Sequence, residues 1–186
     1  MHGPASSLFE HWHEFYVLAG TAAAALVALM FVAVSIAAGF LGAQRASGRT
    51  AGIRTYVSPV IFHFTAVLFV SLITLVPNHV RASLVATIGA IMLVGSGYAA
   101  IVVLRVMGHH KADWPDRLCY GLVPFASYLA GIAAAILIGI DAELGVDVLA
   151  GVTIALLTVN IRNAWDLMLS FARRSAEESR AADDTG

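Results

Sequence analysis

Few residues of this chain are placed to do chemistry, and His63 comes first. It stands in a run from Val57 to Val76 that contains no Asp, Glu, Lys or Arg. An ionisable side chain inside such a run faces a bundle interior or a wet cavity, and by default is a functional candidate. Counting from Val57, it lies six residues into a helix, about 9 Å at the helical rise. Depth bookkeeping brings other polar groups to the same level: Ser96 and Tyr98 from one helix, Asn160, Arg162 and Asn163 from another. Together they predict an intramembrane polar layer open toward the cytoplasm. The competing reading is a neutral His63 hydrogen-bonded to a tyrosine or asparagine, serving only to fix helix positions.

Arg162 and Asp166 are four apart, so they share a helix face and can pair. Either they mark the end of the last helix, with Trp165 at the interface and Arg162 snorkelling, or they form a buried ion pair that lines a pathway or meets a partner. His11, His13 and Glu14, with His2 and Glu10 nearby, are ligand types that zinc accepts. So are His79 and the acidic set Asp141, Glu143 and Asp147. Two histidines two apart do not share a helix face, and no HExxH or paired-cysteine motif accompanies them. Solvated interfacial residues are the ordinary explanation, and no metal is expected. A bis-histidine haem lacks a second embedded histidine at matching depth. Gly-rich nucleotide loops, Ser-His-Asp sets and paired catalytic carboxylates are absent from the sequence. No catalytic residue and no cofactor is expected.

The elements that must position these groups follow from composition. The chain has 186 residues, 59% hydrophobic and 12% charged, with a mean hydropathy of +0.82. Soluble domains carry roughly 25% charged residues. Half that charge excludes a disordered chain, a nucleic-acid binder and an ordinary cytosolic enzyme. It points to a multi-pass membrane protein. One cysteine, Cys119, cannot close an internal disulfide. Ten arginines stand against one lysine, Lys111, a bias that suggests a GC-rich bacterial genome and hence the bacterial inner membrane. The first apolar stretch is longer than the hydrophobic part of a signal peptide, and Met1 to Glu14 holds no Lys or Arg. It is expected to remain as a helix.

Charge-free gaps mark the spans, since a bilayer core takes about 20 apolar residues. The expected fold is all-α, a bundle of five transmembrane helices at about 15–40, 57–76, 82–107, 117–140 and 146–171, forming one domain over 1–171, with a polar cytoplasmic tail at 172–186. Ser58-Pro59 reads as the start of the second helix, Pro77-Asn78 as its end, and Asp113-Trp114-Pro115 as the break before the fourth. Pro124 should kink that fourth helix unless neighbours satisfy the freed carbonyl. Basic residues decide orientation. Arg45, Arg49, Arg54, Arg105, Lys111, Arg117, Arg173, Arg174 and Arg180 fall on one side of five crossings, and Arg81 alone on the other. The N-terminus is therefore expected outside and the C-terminus in the cytoplasm. Aromatic belts fit that placement: Phe9, Trp12, Phe15 and Tyr16 at the outer boundary, Tyr56, Trp114, Tyr120 and Trp165 at the inner.

Small residues four apart let helices approach closely, the main route to tight packing in lipid. Gly20 and Ala24 on the first helix and Gly95 on the third form such a candidate packing face. It serves either the bundle itself or contact with another chain. The opening from His11 to Ser35 and the closing Asn160-Ile-Arg-Asn-Ala-Trp-Asp166 resemble a group of small bacterial integral membrane proteins, some of which are labelled modulators of the FtsH protease. The resemblance implies a multi-pass membrane protein and transfers no site residue. Three functional readings follow, in order. The first is a non-enzymatic protein acting by helix contacts on another membrane protein. The second is an oligomeric channel or small-solute carrier using the His63 layer. The third is a redox or quinone protein. The lipid bilayer is a partner in all three, and nucleic acid in none.

Overall fold

The computed structural model describes residues 9–40, 46–77, 80–108, 114 and 117–183. Among these there is no strand, as expected where lipid leaves every backbone group to be satisfied within its own helix. A short 3-10 turn, Glu10–Trp12, leads into α1, His13–Phe40. Then come α2, Ala46–Thr74, and α3, Arg81–Gly108. A π-helical segment, Arg117–Leu122, runs directly into α4, Val123–Gly139. The last helix, α5, is Leu144–Asp183.

Four stretches are long and apolar enough to cross a membrane: Glu10–Ser35, Arg81–Arg105, Leu118–Gly139 and Leu144–Ser170. Their outward faces carry Leu18, Phe31, Leu93, Leu104 and Ile136, all exposed. Apolar surface of that extent is costly in water and neutral in lipid. The apolar part of α2, Ser58–Thr74, is shorter. At about 1.5 Å per residue it covers roughly 25 Å of a hydrocarbon core about 30 Å thick.

Packing shelters α2. Helices α2, α3, α4 and α5 form a ring in which each packs on the next, and α1 lies outside against α2 and α5. The helix with the shortest apolar stretch is thus covered on three sides by protein. The core follows the ring: Val67, Val70, Ile88, Met92, Tyr128, Ile138, Leu149 and Leu156 form one cluster, and Met30, Val60, Phe64, Tyr120 and Leu167 a smaller one.

Several expectations change. Helix two does not start at Ser58-Pro59 but passes through Pro59 from Ala46. Proline removes one N–H, which would have met the carbonyl of Thr55. That carbonyl lies one residue from Arg54, at the end of the helix that carries its charges. The polar tail is no separate element, because α5 continues unbroken to Asp183. Three residues assigned to the aromatic belts are core residues: Tyr16 is wholly buried, and Phe9 and Tyr120 nearly so. Tyr16 instead closes an aromatic cluster, its ring 5.0 Å from Phe15 and 5.8 Å from Phe9. Trp114 and Trp165 are exposed, as interfacial residues should be. Tyr56, Asn78, His79, Asp113 and Pro115 have side chains or backbones outside the described residues.

Pro124 has the neighbour it requires. It sits in the first turn of α4, directly after the π-helical segment. In a π register its missing N–H would have met the carbonyl of Cys119, five residues earlier. That carbonyl instead accepts a hydrogen bond from Asn163 Nδ2 at 3.0 Å. Tyr120 answers by donating its hydroxyl to the Asn163 carbonyl at 3.0 Å. The two bonds clamp the start of α4 to α5.

Candidate functional site

The centre of the ring holds the site. His63, on α2, is 1% exposed, and its Nδ1 lies 2.8 Å from the Tyr128 hydroxyl on α4. Helices α2 and α4 stand at opposite corners of the ring, so this bond crosses its middle. Both residues lie eleven positions from the same end of the bundle, His63 from Thr74 and Tyr128 from Gly139. At the helical rise that is about 16 Å for each.

Tyr128 is held in place by α3. A methyl group at Gly95 would overlap the Tyr128 ring, so glycine is what lets the ring lie across that helix. Three helices therefore determine where the imidazole sits. Its surroundings are aromatic. The Tyr128 ring is 5.5 Å from it, Phe62 5.7 Å and Tyr98 6.2 Å, centroid to centroid. Phe62 and Tyr98 stack on each other at 4.3 Å with an angle of 34°. Phe62 and Tyr98 are only half-buried, so this pair forms the rim of the cluster between α2 and α3.

Hydrogen-bond accounting fixes the proton. The Tyr128 hydroxyl is wholly buried, and His63 Nδ1 is its partner. If Nδ1 carried the proton, the tyrosine O–H would be left without an acceptor as well. With the hydroxyl donating to Nδ1, the imidazole hydrogen sits on Nε2, the tautomer that leaves fewer groups unmatched. Nε2 is buried and has no protein partner, as are Asn160 Oδ1, Ser71 Oγ and Tyr16 Oη. Each such group costs roughly 1–3 kcal/mol if nothing meets it.

The residues of the expected layer fall in different surroundings. His63, Asn160 and Asn163 are buried, Tyr98 sits at the rim beside His63, and Ser96 is buried with its hydroxyl donating to Leu93 O. Asn160 donates Nδ2 to Leu156 O at 2.7 Å within its own helix. Asn163 serves the clamp on Cys119 described above. Arg162 and Asp166 do not join the layer; both are on the exposed face of α5. At about 100° per residue they stand roughly 200° and 240° around the helix from Asn160, whereas Asn163 and Leu167 fall on its buried side. Arg162 Nη1 approaches Asn163 Oδ1 at 3.4 Å from outside.

Of the packing face, Gly20 and Gly95 act within the bundle. A Cβ at Gly20 would come 3.0 Å from Ser71 Cβ, which marks a close approach of α1 to α2. Ala24 does not share that face and is exposed. The buried stripe of α1 runs through Tyr16, Ala19, Ala23 and Met30, and Ala24 is one residue, about 100°, past it.

Sequence reasoning missed Tyr128. Counting depth from the common end of the two helices would have found it, since the two counts are equal. Among the described residues no group of three or more His, Cys, Asp or Glu comes together that could hold a metal ion. His11, His13, Glu10 and Glu14 lie exposed along the start of the first helix. No family model matches the chain, and neither a curated protein nor a solved structure matches it.

Proposed function

We propose that this is a bacterial inner-membrane protein of five spans, with its N-terminus outside and its C-terminus in the cytoplasm. It acts without catalysis, through helix contacts with another membrane protein. The orientation rests on the arginine asymmetry, and the fifth span on α2, whose apolar stretch is sheltered by its neighbours.

One observation carries the contact. The helix outside the ring, α1, presents Thr21, Ala24, Ala25, Ala28 and Ser35, all exposed. These are small residues at helical spacing, on the side that no other helix of this chain covers. Thr21 and Ser35 return their hydroxyls to Val17 O and Phe31 O, each at 2.8 Å. Between Thr21 and Ala28 the face is small and internally satisfied, flanked by exposed Val17 and Val32, the kind of surface against which a second helix packs closely in lipid. The resemblance to proteins labelled modulators of a membrane protease is in keeping with it.

A photo-crosslinking side chain at Ala28 or Ala24 should give one discrete adduct with a different chain in native membranes. The same group at Leu104, exposed on α3, should give none. Ala28→Leu should suppress the adduct while leaving the melting temperature within a few degrees. Adducts with lipid alone, or only with a second copy of the chain, would reject the reading. The alternative of an oligomeric channel or solute carrier draws on the His63 layer. It has less behind it, because Arg162 and Asp166, the only charged groups expected there, face outward.

A further inference from the structure

One nitrogen of His63 is fixed by Tyr128, and the other is buried with no hydrogen-bond partner among the described residues. Its ring is positioned by groups on three helices, so it cannot turn to find an acceptor. With Nδ1 accepting from the tyrosine, Nε2–H is a buried donor. Beside it stands Tyr98, whose hydroxyl has no hydrogen-bond partner among the described residues, its ring 6.2 Å from the imidazole.

Three further observations define the occupant. Among the described residues, the buried polar set contains no carboxylate, lysine or arginine. A charged ligand would therefore go unpaired in an apolar interior, so the ligand is neutral. The wall around the donors is aromatic, with Phe62 and Tyr98 stacked, which suits a flat ring. Access is from the side. Phe62 and Tyr98 are the half-buried rim, and they lie where α2 meets α3, the least extensive contact between neighbours in the ring.

We propose that His63 and Tyr98 bind a lipid-dissolved ligand of the quinone class, which enters between α2 and α3 and whose carbonyl oxygen accepts from His63 Nε2–H. The proposal concerns binding only and needs no electron transfer. It stands apart from the helix-contact reading, since it involves the ring interior and not the outer face of α1.

The test uses the full chain, purified into lipid nanodiscs without any partner, with an azido-benzoquinone as probe and decyl-benzoquinone as competitor. Saturable labelling should map to peptides that carry Phe62 or Tyr98, and the competitor should suppress it. His63→Leu should weaken binding about tenfold, the loss of one hydrogen bond. His63→Gln, which keeps an N–H near the position of Nε2, should recover part of it. Should His63→Leu fail to fold, Tyr98→Phe keeps the ring and should still weaken binding several-fold. Absence of saturable labelling in the natural chain would overturn the proposal, leaving water as the occupant. Equal labelling in a folded His63→Leu or Tyr98→Phe would overturn it too.

Discussion

At the scale of single residues, the interior polar groups divide by what they already have. Asn163 is fully committed: its amide meets the Cys119 carbonyl that Pro124 leaves open, and its own carbonyl accepts from Tyr120. His63 is half committed, and its second nitrogen is the open position of the molecule. The same residue types at the same depth therefore have different meanings. The clamp has a testable signature. Asn163→Leu should cost roughly 1–3 kcal/mol, because it leaves a buried carbonyl without a donor. In a Pro124→Ala background the backbone N–H returns to that carbonyl, so the same change should cost clearly less. A double-mutant cycle by reversible unfolding in detergent measures the difference. Additive effects would show that Pro124 and Asn163 are independent. His63 and Asn160 could be singled out from sequence because polar residues within charge-free runs are conspicuous. Tyr128 could not, because tyrosine is equally at home at a membrane interface.

At the scale of elements, the turn between α4 and α5 shows how a short polar segment can fix two helices. Ala142 N–H donates to Leu137 O at 2.9 Å and Asp141 N–H to Ile138 O at 3.2 Å, the pair of bonds that closes a Schellman motif. Glycine usually fills the left-handed position; here it is Asp141, with φ 66°. A side chain there costs roughly 1–2 kcal/mol, less for aspartate than for most residues. The carboxylate is put to use: it pairs with Arg81 at the start of α3 at 2.7 Å, the arginine 13% exposed and the aspartate 47%. So exposed a pair contributes about 0–1 kcal/mol, which roughly offsets the strain. Asp141→Gly should therefore leave stability within about 1 kcal/mol, losing both strain and pair. Asp141→Ala keeps the strain and loses the pair, and should be less stable than Asp141→Gly by about the strain, 1–2 kcal/mol. Equal melting temperatures for the two variants would refute this account. Asp141 to Asp147 reads as a turn in the sequence because it interrupts two apolar runs. The left-handed aspartate and its partner do not, since Arg81 is 60 residues away.

At the scale of the whole molecule, the proposed five crossings would put the two termini on opposite sides. A cytoplasmic reporter fused after Gly186 should be active and one fused ahead of Met1 should not; activity at both ends would leave an even number of crossings and remove α2 as a span. The sequence by itself determined that the chain is helical and membrane-bound, and roughly where each helix runs. Those properties depend on local composition, because lipid accepts only apolar stretches that satisfy their own backbone. It also singled out His63, Asn160 and Asn163 as polar groups in apolar surroundings. Only the tertiary structure decided which helices close the ring, that α1 stands outside it, and that the helix with the shortest apolar stretch lies at its protected side. It alone brought Tyr128 across to His63 and turned Arg162 and Asp166 away. Helices that are apolar all round carry almost no periodic signal of which face meets which neighbour. That choice falls to long-range fit, such as the ring of Tyr128 lying where Gly95 has no side chain.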